Sequence, residues 1–211
     1  AHGHSDSMSF TLNIKDVPFL IDPGTYIYIA GNPYRNYFRS TRAHNTVMID
    51  SMDQSEMAGP FLWKNQAHSY LEKWQSDSTS DIILAWHDGY HRLSDPVTHN
   101  RKIEFDKKHG RIVIEDLLKT CGRHIIQICF QWDKNCQFIS DGNGYSVRNQ
   151  NQKLYIEIDS HLKRETYKGS EKPIWGWASN RYDVKYPIVT WVGTAEIFSS
   201  QVFTTIIQID I

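Results

Sequence analysis

Lys153-Leu154-Tyr155-Ile156-Glu157-Ile158 alternates polar and apolar side chains, and Ser9-Phe10-Thr11-Leu12-Asn13-Ile14 does the same. Successive side chains of a strand point to opposite faces, so this period of two predicts strands with one buried face. Arg111-Ile112-Val113-Ile114-Glu115 and Ile125-Ile126-Gln127-Ile128-Cys129-Phe130 are more continuously apolar, the pattern of strands covered on both faces. Val202 to Ile209, rich in Thr and Ile, reads as a last strand. Turn residues separate the runs at Asp22-Pro23-Gly24, Lys108-His109-Gly110, Asp141-Gly142-Asn143-Gly144 and Lys168-Gly169-Ser170. The second and third of these read as hairpin loops. No segment carries an apolar stripe over three helical turns. The pattern predicts an all-β fold, a large antiparallel β-sandwich of about a dozen or more strands. Residues 24 to 68 are the least regular part and are expected to form long loops over one end.

Composition narrows the function classes. At 211 residues the chain can bury one substantial core, so residues 1–211 are read as a single domain. A net charge of −1 gives no field for nucleic acid or for an anionic membrane. No apolar run approaches the length of about 20 residues that a membrane helix needs. Three cysteines without a C-x-x-C pair argue against a disulfide framework or a zinc ribbon, and all three are expected to be buried thiols. Seven Trp, eleven Tyr and nine Phe suit either β-core packing or stacking on sugar rings.

The candidate chemistry lies in the first fifty residues. Ala1-His2-Gly3-His4-Ser5-Asp6 carries two histidines one residue apart, which point the same way if the segment is extended. So dense a motif at a chain start without Met suggests a piece of a longer protein. Asp22 stands at a tight turn, Arg39 lies in Tyr37-Phe38-Arg39-Ser40-Thr41, and His44 leads into a strand. Two His and one Asp suit a tetrahedral zinc site with one open position, and His4, Asp22 and His44 are the chosen set, with His2 left free. Each also has an ordinary reading: Asp22 as an Asx-turn residue, His44 as a satisfied core histidine, Arg39 as a surface charge. The H-x-H-x-D string is also similar to a metallo-β-lactamase signature, but Ser7 takes the place of the further His. A cupin would want a Glu a few residues on, and none is there.

Taken in order, these segments resemble the C-terminal domain of heparinase II/III-like polysaccharide lyases. The carriers are His2-Gly3-His4-Ser5-Asp6-Ser7-Met8-Ser9-Phe10, Asp22-Pro23-Gly24-Thr25-Tyr26, and Tyr37-Phe38-Arg39-Ser40-Thr41-Arg42-Ala43-His44-Asn45-Thr46-Val47. Asp53-Gln54-Ser55-Glu56, His87-Asp88-Gly89-Tyr90, His99-Asn100-Arg101 and Gly176-Trp177-Ala178-Ser179-Asn180-Arg181-Tyr182 continue the likeness. The resemblance implies a supersandwich-like β-domain that works with an N-terminal (α/α) toroid absent from this chain. It implies β-elimination on a uronate-containing anionic polysaccharide such as a glycosaminoglycan or alginate. It implies His2 as the catalytic histidine, and His4, Asp22 and His44 as ligands of a structural Zn2+ or another divalent metal. Arg39, Tyr26 and Trp177 are candidates for substrate contact, and Asn45 or Tyr26 for orienting the ligands. The family's catalytic Tyr and Asn belong to the toroid, so the chain alone is expected to have little or no lyase activity. The family's usual location implies the periplasm or the cell exterior. The competing reading is a non-catalytic carbohydrate-binding or structural sandwich whose metal staples loops. A third is a metal-dependent hydrolase or oxygenase with a 2-His-1-carboxylate site.

Overall fold

The computed structural model describes residues 3–210. Two antiparallel sheets face each other. The larger has eight strands, in the spatial order Gln137–Asp141, Gly144–Asn149, Gln152–Ile158, Gln201–Ile209, Arg111–Lys119, Val97–Asp106, Ser80–Tyr90 and Ser69–Ser76. The smaller has four: Lys163–Lys168, Val189–Ile197, His124–Gln131 and Val47–Ile49. The alternating runs in the sequence become strands of these sheets because alternation lets one face of each meet the other layer. Ile112, Ile114 and Leu118 from one layer, with Phe203 and Ile207 beside them, pack toward Val47, Ile126, Ile128 and Trp191 of the other. Burying these side chains is the main source of stability, at about 25 cal/mol per Å² of apolar surface.

The continuous runs behave differently from each other. In His124–Gln131 one set of side chains joins the main core, while Cys129 on the opposite face packs with Met48, Trp175 and Val192. That strand is covered on both sides over much of its length, as its sequence predicts. Arg111–Lys119 instead keeps a clean alternation, and its buried set includes a charged residue, Asp116.

Residues 24 to 68 lie between the sheets' strands as irregular chain, but they hold more regular structure than their sequence suggests. Pro33–Arg39 is an α-helix. Asn32 caps it by accepting from the Tyr34 N–H at 2.9 Å, and Pro33 opens it at a position where the missing N–H is harmless. Seven residues are two turns, too short to display a three-turn stripe, and Tyr37 and Phe38 hold the helix down by burial. A 3₁₀ turn at Thr41–Ala43 and the strand Val47–Ile49 follow. The cysteines correct one expectation. Cys129 is buried and Cys136 half-buried, and burial pushes both thiols up to about 12, but Cys121 is exposed in the connection between Arg111–Lys119 and His124–Gln131.

Phe203 is 1% exposed at the middle of the sandwich. Phe203→Ala is expected to lower the free energy of urea unfolding by about 3–5 kcal/mol. Phe198→Ala, at a position 64% exposed, is expected to change it by less than about 0.5 kcal/mol.

Candidate functional site

Ser5 fixes the segment at the start of the described residues. Its N–H donates to the Arg39 carbonyl at 2.8 Å, and its carbonyl accepts from the Thr41 hydroxyl at 2.8 Å. Its own hydroxyl accepts from the Ser55 N–H at 2.7 Å. The segment is irregular here and turns at Met8, whose φ is 58°. This holds His4 over His44. His2 lies outside the described residues, so its direction relative to His4 is not part of the described geometry.

His44 is fully buried, and its Nδ1 lies 2.8 Å from the Ser40 carbonyl. A carbonyl can only accept, so Nδ1 carries the proton and Nε2 presents a lone pair. That Nε2 lies 3.1 Å from His4 Nδ1 and 3.7 Å from the Asp22 carboxylate. His4 Nε2 faces the Thr25 hydroxyl at 3.4 Å. Burial, reinforced by the neighbouring His44, lowers His4 to about 4, so it is a neutral imidazole near neutral pH. Asp22 serves the turn and the site at once: one oxygen accepts from the Gly24 N–H at 2.8 Å while the other faces His44. Gly24 cannot be replaced cheaply, because at φ 79° an added Cβ would stand 2.1 Å from the Ser179 carbonyl oxygen.

His4 and Asp22 therefore each approach His44 Nε2, while the three-donor set that closes within 4.8 Å is His4, Asp6 and His44, without Asp22. Donor atoms around a tetrahedral zinc at about 2.0–2.2 Å sit about 3.3–3.6 Å from each other, and separations of 3.1 and 3.7 Å bracket that range. Two neutral imidazole nitrogens and a carboxylate fit such an ion. Asp6 is a further donor that sequence reasoning passed over: its carboxylate, with His4 and His44, forms a set whose ligand atoms lie within 4.8 Å of one another. The sequence held a signal for it, since Asp6 shares the face of an H-x-H-x-D string.

The other candidates fall elsewhere. Among the described residues Asn45 hydrogen-bonds to neither imidazole; it ties the loops that carry them. Its amide donates to the carbonyls of Phe10 at 2.8 Å and Ile21 at 3.0 Å and accepts from the Gln131 N–H at 2.6 Å. Tyr26 packs on Tyr34 and Phe38, and Trp177 meets Tyr34 edge-on at 5.9 Å. Lys185 covers Trp177 at 3.5 Å from the ring centre. Arg39 is fully buried rather than a solvated charge, with its guanidinium 4.2 Å from the Trp63 ring centre.

Sequence reasoning also missed what lies beneath the site. Arg101 and Asp116 are directly opposite each other on neighbouring strands, as are His87 and His99. Arg101 forks onto the Asp116 carboxylate at 2.7 and 2.9 Å and sends its remaining nitrogen to the carbonyls of Met8 at 2.8 Å and Asn45 at 2.7 Å. The Gly89 N–H donates to His87 Nδ1, so His87 Nε2–H donates to His99, and His99 Nε2–H to Asp116. Burial works against the Asp116 charge, but Arg101 and His99 outweigh it and hold the carboxyl well below the usual range. Burial drives His87 well below its ordinary value, helped by His99, and lowers His99 against the pull of Asp116.

Comparison with known proteins places these features in a family. The family described as "Heparinase II/III-like, C-terminal" matches residues 1–192. A heparin-sulfate lyase of Pedobacter heparinus is 26% identical over 117 residues, which are 54% of this chain and 16% of that protein. The crystal structure of heparan sulfate lyase HepC from Pedobacter heparinus aligns over 98% of this chain and 30% of its own, with a TM-score of 0.78 and 18% identity. A crystal structure of heparinase III aligns over the same shares, with a TM-score of 0.77 and 16% identity. The chain thus spans less than a third of these solved relatives.

The buried histidines make stability depend on pH. The folded state resists protonating His87 and His99, so the unfolded state takes up protons first as pH falls below about 6.5. Their contribution is fully present above that value and is lost as pH falls below it. The urea midpoint is expected to be lower at pH 5 than at pH 7.5, and His87→Gln, though less stable overall, is expected to show a smaller drop.

Proposed function

The chain belongs to the heparinase II/III-like C-terminal family, and from that membership we propose that it is the β-sandwich part of a polysaccharide lyase acting on a uronate-containing anionic polysaccharide, of glycosaminoglycan or alginate type. The observation that carries the reading is the approach of both His4 and Asp22 to the buried His44. We take these three residues as the holders of a divalent ion, with zinc the best match to two imidazoles and a carboxylate. Such an ion supplies a structural cross-link among the segments that carry residues 4, 22 and 44.

His2 is two residues from His4, so fixing His4 limits where His2 can reach. In the proposed reaction a base takes the C5 proton of the uronate, the C5–H pair forms the C4–C5 double bond, and the C4–O bond breaks with the leaving sugar. Negative charge gathers on the uronate carboxylate meanwhile and must be neutralised. We assign His2 a proton-transfer role at that centre. The remaining catalytic groups would come from an N-terminal toroid. Arg39, Tyr26 and Trp177 belong to the proposed saccharide side of the domain, and Tyr26 and Trp177 there flank Tyr34 in one aromatic row. The site of action is proposed to be the periplasm or the cell exterior.

Metal content of the purified chain tests the first half of this reading. About one zinc per chain is expected, lost in His44→Ala; equal metal in both proteins would rule out the assigned ligands. Incubation with heparan sulfate or alginate tests the second half. The chain alone is expected to give no unsaturated uronate, and a longer protein that joins it to a helical toroid is expected to give it, with His2→Ala reducing the rate by about 10²-fold or more.

A further inference from the structure

The helix Pro33–Arg39 puts Arg35 and Arg39 four residues apart and therefore on one face. Both are buried, at 1% and 0% exposure. Buried charges are normally paired with an opposite charge. Among the described residues neither arginine is in an ion pair: Asp53, the acidic group that acts on Arg39, is already engaged by the Thr41 N–H. Their acceptors are instead main-chain carbonyls of one short segment. Arg35 donates twice to the Pro60 carbonyl, at 3.2 and 2.9 Å. Arg39 donates to the carbonyls of Gly59 at 2.7 Å and Leu62 at 3.5 Å. Even so, Arg35 Nη1 and Arg39 Nε are buried without a partner among the described residues. Two like charges thus sit together, with donors to spare and only main-chain carbonyls accepting their hydrogen bonds among the described residues.

Gly59–Leu62 is a thin cover. It is the loop between the paired short strands Glu56–Met57 and Trp63–Asn65, with Ala58 N–H donating to the Leu62 carbonyl at 3.1 Å, and its Phe61 and Leu62 side chains are 41% and 65% exposed. Beside it Trp63 lies against Gly3, at the H-x-H segment, with the indole nitrogen 4.0 Å from where a Gly3 Cβ would stand. On the other side Phe61, Tyr28 and Tyr182 stack in a row, with ring centres 6.2 and 6.1 Å apart and planes within 19°. The row leads from Arg35, 5.0 Å over Tyr28, to a cleft of 260 Å³ that Tyr28 and Tyr182 line. Aromatic faces beside paired guanidiniums suit a sugar ring that bears an anionic group, because a guanidinium fork matches the oxygens of a carboxylate or sulfate.

We propose that Arg35 and Arg39 form an anion site for a carboxylate or sulfate group of the polysaccharide, and that the carbonyls of Gly59–Leu62 hold the place of that group's oxygens until it binds. The site deepens the lyase reading and rests on its anionic saccharide. Binding breaks the carbonyl contacts, releases the cover, and satisfies the idle donors.

Calorimetric titration at constant ionic strength tests it on the chain and on Arg35→Gln, Arg39→Gln and Arg123→Gln. The probes are a sulfated uronate tetrasaccharide, an unsulfated uronate tetrasaccharide and inorganic sulfate. Affinity for at least one tetrasaccharide is expected to fall about tenfold or more in the first two variants and to stay unchanged in Arg123→Gln, a surface residue paired with Glu196. Whichever tetrasaccharide shows that loss identifies the anionic group. Undiminished binding in Arg35→Gln and Arg39→Gln overturns the site and leaves the polysaccharide reading standing. Arg35-dependent binding of inorganic sulfate with no binding of either saccharide supports the site and counts against the polysaccharide. No binding of any probe overturns the site. Hydrogen exchange of the unaltered chain does not depend on how the variants fold: amides of residues 59 and 61–63 are expected to exchange faster with saturating probe, and unchanged or slower exchange overturns the proposal.

Discussion

The Arg101–Asp116 pair is the point from which the site hangs. It is a cross-strand pair of the large sheet, wholly inside the protein, and it has one nitrogen left over for the loop carbonyls of Met8 and Asn45. A buried ion pair of this kind contributes little net stability compared with apolar packing, because both ions lose water. What it provides is position. A guanidinium with all its acceptors fixed admits one arrangement of the chains that supply them, and those chains lead directly to His4 and His44. Removing either partner would strand a buried charge, so sheet and loops are fixed together.

The fold was largely legible because alternation is a direct consequence of facing sheets. Lys153 to Ile158 and Val202 to Ile209 are strands for the reason their patterns suggest. The helix Pro33–Arg39 was not, since two turns leave too few positions for a stripe and tertiary burial of Tyr37 and Phe38 decides its state. The site was legible in part. His4, Asp22 and His44 lie far apart in sequence, and only folding brings His4 to 3.1 Å and Asp22 to 3.7 Å from His44. Asp116 was invisible because its neighbours Ile114 and Leu118 mark its register as core, where a pattern-reader expects another apolar residue. Arg39 had a reading as a surface charge because burial of a cation is decided by a cover twenty or more residues along the chain.

Electrostatics divide the loop end into two regions of opposite character. Around His4 the environment favours neutral nitrogen donors beside carboxylates. Around Arg35 and Arg39 it keeps two positive charges, neither in a direct ion pair among the described residues, under a backbone cover. A cation suits the first and an anion the second, and Gly3 and Trp63 stand between them.

The connection Thr120–Arg123 joins a strand of the eight-stranded sheet to a strand of the four-stranded sheet, and Cys121 is exposed within it. Burial holds the other two thiols up at about 12, which disfavours the thiolate, the reactive form. The native chain therefore presents a thiol-selective dye or spin label with one address, and that address lies on the seam between the two layers. A probe attached there would sense the layers separating without any engineered residue.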